Sequence, residues 1–212
     1  MYPLARKFKI KKKFGELMNL DMKSVKRELL NLKGIGNRWE RRLFFAAIIS
    51  EFLQKKHQMD LVVVGGNAVE FYTLGSYSTE DIDIVVTNFE IIENLLQYLD
   101  FEKINRIWYR EDIDISIDPV GSELAGDPKR VSRVSIKDKT VQVIGLEDII
   151  VDRLNALIHW KSEQDGLWAQ EIVAIHQEDI DWKYLEQRCK KEQVTSALEE
   201  IKEKIKPKDE RI

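Results

Sequence analysis

The sequence predicts an α/β (α+β) fold: a mixed β-sheet with flanking helices, followed by a C-terminal helical lobe. Three observations predict it. The wholly apolar run Leu61–Val64 stops at Gly65-Gly66 and leads, through a short helical stretch, to the alternating β-branched run Asp81–Val86, which makes a β-α-β step. Several short strand-like runs then follow one another up to residue 143. From Gly145 onward the periodicity is helical throughout.

Taken in order, residues 1–20 are basic and irregular around Lys11-Lys12-Lys13. A short helix is expected from Lys23 to Leu32, capped by Asp21 or Ser24 and ended by Gly34. A longer one is expected from Arg38 to Lys56, where Leu43, Phe44, Ala47, Ile48 and Phe52 recur at helical spacing. The strand Leu61–Val64 precedes a helix over Asn67–Leu74, a turn over Gly75–Glu80, the strand Asp81–Val86 and a helix over Glu90–Leu99. Strands are expected at Ile104–Tyr109 and Ile113–Ile117, then a loop (Pro119–Pro128). Two more, Val131–Ile136 and Thr140–Val143, are joined by a hairpin turn at Lys137-Asp138-Lys139. Four helices follow: Leu146–Trp160, Leu167–Gln177, Tyr184–Lys191 and Ser196–Lys204. The expected organisation is a basic N-terminal arm with a short helix (1–36), a core (37–145) and a helical lobe (146–205). Trp108, Trp160, Trp168 and Trp182 are expected to pack the lobes together.

Composition narrows the class. The 212 residues suffice for one large domain, or one domain with a helical appendage. The lone Cys189 excludes an internal disulfide framework and a Cys-cluster zinc site, and its thiol fits a cytoplasmic location. The longest apolar run, Leu43–Ile49, is far too short to span a bilayer, so no membrane association is expected. The charged start has no apolar stretch of the signal-peptide kind. Formal net charge is −3, yet residues 1–43 carry 13 Lys/Arg against four Asp/Glu. That basic start either meets a polyanion or packs as a solvated leader on the acidic body.

The chemistry concentrates between Leu61 and Val86. Gly65 and Gly66 let the chain turn sharply and let a ligand approach the main chain. The following helix start offers free N–H groups and a partial positive charge to a phosphate. Asp81 and Asp83 lie two apart on a strand, so their carboxylates share a face, and Ile82 and Ile84 point to the other. Two carboxylates held this close call for a cation, and hard oxygen ligands suit Mg²⁺ or Mn²⁺. In the run Glu111–Pro119, alternation puts Asp112, Asp114, Ser116 and Asp118 on one face. Asp118 is the candidate third ligand and candidate base, with Asp114 as the alternative. Such a trio suits two metals that hold a triphosphate for in-line displacement. Thr79 either orients the nucleotide or caps the strand entry. Tyr72 either stacks on a base or fills the core. Asp127, Lys129, Arg130 and Arg133 either line the substrate side or form an ordinary charged loop. His57, His159 and His176 show no ligand spacing.

This pattern resembles the DNA polymerase beta-like nucleotidyltransferase superfamily: a strand ending in two small residues, a short helix and turn, then Asp-x-Asp on the next strand. Fourteen residues separate Gly66 from Asp81, near that superfamily's spacing. GGNAVEFYTLGSYSTEDIDIV is similar to the small prokaryotic nucleotidyltransferases of abortive-infection and toxin–antitoxin systems. The likeness continues through SIDPVGSELAGDPKRV and VIGLEDIIVDRLNALIHW and covers roughly residues 58–175. One departure stands at the turn, where many members have Gly-Ser and this chain has Gly66-Asn67. The resemblance implies a nucleotidyltransferase-type sheet and transfer of a nucleoside monophosphate from an NTP to a hydroxyl acceptor, a tRNA or a protein. It also implies a possible cognate toxin or antitoxin partner. Asp81, Asp83 and Asp118 would hold the metal, Gly65, Gly66 and Asn67 would cradle the triphosphate, and Arg153 would reach a phosphate. Two rival readings stay open: a non-catalytic nucleotide- or metal-binding partner, and an RNA-binding protein whose acidic site is vestigial.

Overall fold

The computed structural model describes residues 21–205; the lysine-rich start and the polar tail read above lie outside the described residues. Residues 21–30 are helical (α1), so Asp21 and Ser24 fall inside the helix instead of capping it. A 3-10 turn, Asn31–Gly34, leads on to α2 (Arg38–His57). Val25, Leu29, Leu32 and Ile35 are buried, which seats this segment on the core. The Asn37 side chain accepts from the Glu40 amide at 3.0 Å and starts α2, satisfying one of the free N–H groups of its first turn.

The β-α-β step is present with shifted boundaries. β1 (Leu61–Val63) is followed directly by α3 (Gly65–Tyr72), so the two glycines form the first helical turn and do not precede it. β2 (Asp81–Val86) alternates as expected, with Ile82, Ile84 and Val86 buried. α4 (Phe89–Tyr98) is capped by Asn88.

The next segment differs from expectation twice. The single strand foreseen at Ile104–Tyr109 is a hairpin, β3 (Glu102–Ile104) and β4 (Ile107–Arg110), which folds back through Asn105 at φ +59°. Asparagine tolerates that left-handed conformation better than most residues. β5 (Ile115–Gly121) begins late, because Glu111–Ile113 is a 3-10 turn and Asp114 is left-handed at φ +53°. It also runs through Pro119, beyond the last β4 partner, Ile117. β6 (Ser132–Ile136) and β7 (Lys139–Val143) form the foreseen hairpin.

The four C-terminal helices are α5 (Leu146–His159), α6 (Glu163–Ile175), α7 (Trp182–Lys191) and α8 (Thr195–Ile205). α6 and α7 start earlier than their apolar periodicity implies, because Ser162 and Asp181 cap them.

The seven strands form one mixed sheet in the order β3-β4-β5-β2-β1-β7-β6. β2 runs parallel to β5, and β1 runs parallel to β7 but antiparallel to β2. α2 packs on β1, β6 and β7. α3 lies against β2 and meets α5 and α6, and α5 to α8 pack on one another. The C-terminal helices are thereby brought beside the β1–α3 turn. Trp108 is buried and Trp168 meets Tyr77 edge to face at 4.9 Å, but Trp160 stands 79% exposed and does not pack the lobes together. Among the described residues, no helix is long and apolar enough to cross a membrane.

Candidate active site

Strand register assembles the acids. Asp83 on β2 is the direct parallel partner of Asp118 on β5, and Asp81 is the partner of Ser116. Alternation turns Asp81 and Asp83 to one face, and Asp118 comes up beside them. One carboxylate oxygen from each lies within 4.8 Å of the other two. Asp112 and Asp114 are not part of this group, which corrects the alternation expected for Glu111–Pro119. The left-handed turn at Asp114 breaks that face. Asp114 pairs with Arg38 and Arg41, and Asp112 with Arg110 and Lys33. Asp114 is therefore not the third carboxylate.

Asp83 requires a glycine at position 65. Gly65 sits at φ +54°, and a Cβ there would lie 2.1 Å from Asp83 Oδ2. A Cβ on Gly66 would lie 3.0 Å from the Thr79 side chain. The Gly66 N–H donates to Asp83 Oδ2 at 3.2 Å, so the start of α3 already faces an anion. The Thr79 hydroxyl donates to Asp81 Oδ1 at 3.1 Å, which makes Thr79 an orienting group for the carboxylate.

Asn67 is placed differently from the sequence expectation. It is fully buried, its Oδ1 accepts from Arg42 and its Nδ2 donates to the Asp81 carbonyl. Both polar atoms of its side chain are therefore engaged within the protein. Tyr72 fills the core, with its hydroxyl on Ser132 and the Ile144 carbonyl, and burial pushes that hydroxyl up to about 12. Arg130 pairs with Asp181 and lies over the Tyr184 ring, so it is occupied away from the acids.

Burial and like charge make the trio electrostatically costly. The Asp83 carboxyl is raised to about 6, chiefly by burial, then by the Asp81 charge; the Gly66 N–H opposes this and Asp118 adds to it. Burial also raises Asp118, against the pull of Arg106. Asp118 Oδ2 lies 2.8 Å from Arg106 Nε, but the N–H does not aim at it. That buried oxygen consequently has a counter-charge and no hydrogen bond. Closely spaced hard oxygens and an unsatisfied lone pair fit a divalent cation of the Mg²⁺ or Mn²⁺ kind.

Beside the acids lies a cavity of about 300 Å³, lined among others by Gly65, Asp83, Val85, Val120, Arg153 and Trp160. Arg153 divides its guanidinium between Asp152, which also lines the cavity, and Asp165. Val120, at a register shift in β5, and Trp160 are both exposed apolar side chains at this cavity. Sequence reasoning missed Arg106, because nothing local marks it. It also missed Arg42 and misplaced Trp160.

Residues 43–206 match the family described as "Nucleotidyltransferase of unknown function (DUF6036)". The chain belongs to this nucleotidyltransferase family. Its fold is similar to that of an antigenic nucleotidyltransferase-like protein from Paracoccidioides brasiliensis, at 15% identity and TM-score 0.51, over 77% of this chain and 93% of that one. The antibiotic-resistance factor ANT(2'')-Ia aligns at 16% identity and TM-score 0.47, over 74% and 94%. Among curated proteins, none matches the sequence.

Proposed function

We propose that this nucleotidyltransferase moves a nucleoside monophosphate from an NTP to a hydroxyl acceptor, with pyrophosphate leaving. The observation that carries this reading is the meeting of Asp81, Asp83 and Asp118 within 4.8 Å at the start of α3. These three residues would hold Mg²⁺ or Mn²⁺, which when bound neutralises triphosphate charge and favours the ionised hydroxyl. Asp118 is suited to take the acceptor proton on its carboxylate, since Oδ2 has no hydrogen-bond donor. Gly65 and Gly66 admit the phosphates to the main chain, and Thr79 keeps Asp81 oriented. The cavity beside Asp83 would take the nucleoside, with Trp160 as a stacking surface and Arg153 toward the phosphates.

The acceptor class is a tRNA or a protein, and the basic start of the chain favours RNA. A toxin–antitoxin or abortive-infection role in the cytoplasm, with a cognate protein partner, accords with the sequence resemblance. The Arg106–Asp118 pair favours a second reading, a nucleotide-binding partner without turnover, since a guanidinium already meets the third carboxylate.

One experiment separates the two. The protein and Asp81→Asn are each incubated with every labelled NTP, Mg²⁺ or Mn²⁺, and total tRNA or cell lysate. Label transfer that disappears in the variant supports the enzyme. Nucleotide binding with no transfer under any condition supports the second reading.

A further inference from the structure

We infer that Arg42 is a positioning residue for the acidic site, acting through Asn67 on the backbone of Asp81; this rests on the metal site of the proposed function. β1 ends at Val63, and its ladder with β2 closes with the Val64 N–H donating to the Asp83 carbonyl at 3.0 Å. In an antiparallel pair, residues two apart turn their main-chain groups to the same edge, so the Asp81 carbonyl also faces the β1 side. There β1 has given way to α3, and no strand N–H remains to meet it. The Asn67 carboxamide supplies the missing donor.

Arg42 determines which way that carboxamide points. A guanidinium only donates, and Arg42 Nε reaches Asn67 Oδ1 at 3.1 Å. The amide nitrogen must therefore face Asp81. Glu70 lies three residues beyond Asn67 on the same side of α3 and accepts from Arg42 Nη2 at 2.5 Å. Arg42 is 4% exposed, Glu70 5% and Asn67 fully buried, so water does not compete for these bonds. The chain Glu70–Arg42–Asn67–Asp81 thus ties α2, α3 and the leading residue of β2 together. A serine in place of Asn67 has too short a side chain to span from the guanidinium to the carbonyl.

The test measures Mn²⁺ binding directly, by calorimetry and by the signal of free Mn²⁺, alongside thermal melting and NMP transfer. Asn67→Ala and Arg42→Lys are made in the full chain. Arg42→Lys retains the counter-charge for Glu70 but loses the Nε bond to Asn67, and so guards against an unfolded first variant. Outer-shell partners typically contribute tenfold or more to metal affinity. The expected result is folded protein whose Mn²⁺ dissociation constant rises about tenfold in Asn67→Ala and by a smaller factor in Arg42→Lys. Folded variants that melt lower but bind Mn²⁺ like the parent would overturn the inference and leave the network a packing feature. A parent that binds no Mn²⁺ overturns it together with the proposed function. A parent that binds Mn²⁺ and never transfers NMP, with both variants weakened, overturns the proposed function alone.

Discussion

Arg106, 79% exposed in the β3–β4 turn, places its Nε 2.8 Å from Oδ2 of Asp118, which is almost wholly buried. An exposed guanidinium thus offsets the charge of a buried carboxylate of the acidic trio. A divalent ion held by Asp118 as proposed would compete with this guanidinium for the carboxylate. Arg106→Gln is expected to lower the melting temperature in chelator, because Asp118 loses its counter-charge. Saturating Mn²⁺ should cancel that loss, and Mn²⁺ affinity should rise several-fold as the competitor goes. Melting curves with and without Mn²⁺ check this. A variant whose deficit persists in Mn²⁺ would mean that Arg106 has a separate structural role.

The same acids set a pH dependence. Asp83 is raised to about 6 in the folded chain, against 3.8 for the free side chain. The folded state binds this proton more tightly than the unfolded state does. In the metal-free protein its contribution to stability is therefore largest below pH 3.8 and is lost as pH climbs through 6. A divalent cation reverses the preference by favouring the ionised form. Stabilisation by Mn²⁺ is expected to be slight at pH 5 and to grow steeply up to pH 7, as read by melting across that range. A Mn²⁺ shift independent of pH would contradict it.

Gly65→Ala places a methyl at φ +54° and within 2.1 Å of Asp83 Oδ2. The strain alone costs about 1–3 kcal/mol, and relieving the clash displaces a carboxylate of the trio. Denaturant unfolding should show a loss of about 2 kcal/mol or more, with Mn²⁺ binding abolished. Gly34→Ala, where a Cβ meets nothing within 4 Å, serves as the control and should bind Mn²⁺ like the parent.

Much of this site was legible in the sequence because strand alternation is a local property. Asp81 and Asp83 share a face by virtue of spacing alone, and the Gly-Gly break marks where β1 yields to α3. Alternation failed at Asp112 and Asp114, where a 3-10 turn and a left-handed residue interrupt a run that reads as one strand. Asn105 likewise hides a hairpin that only its positive φ reveals. Arg106 and Arg42 had no signal, since their roles come from contacts 12 and 25 residues away in the chain. From the sequence Trp160 is expected to pack the lobes together, as a large aromatic would, and its exposure follows from its place just past the end of α5.

That exposure supports the last prediction. Trp160, at 79% exposure, is free to meet a ligand, and it lines the cavity that Gly65 and Asp83 share, with Val120 exposed beside it. Stacking of a base on an aromatic side chain contributes about 1–3 kcal/mol, which corresponds to about a 5- to 150-fold change in affinity. A non-hydrolysable NTP analogue should quench the protein's tryptophan fluorescence. Trp160→Leu should lose most of that quenching and bind the analogue at least fivefold more weakly by the same stacking scale, while Trp160→Phe keeps most of the affinity. Trp182→Phe, whose parent ring donates to the Gln177 carbonyl, should leave both readings intact. Because Trp160 is barely packed, both Trp160 variants should melt close to the parent, so a change in their affinity reports the nucleoside contact and not the fold. Equal quenching in Trp160→Leu and the parent would place the base elsewhere.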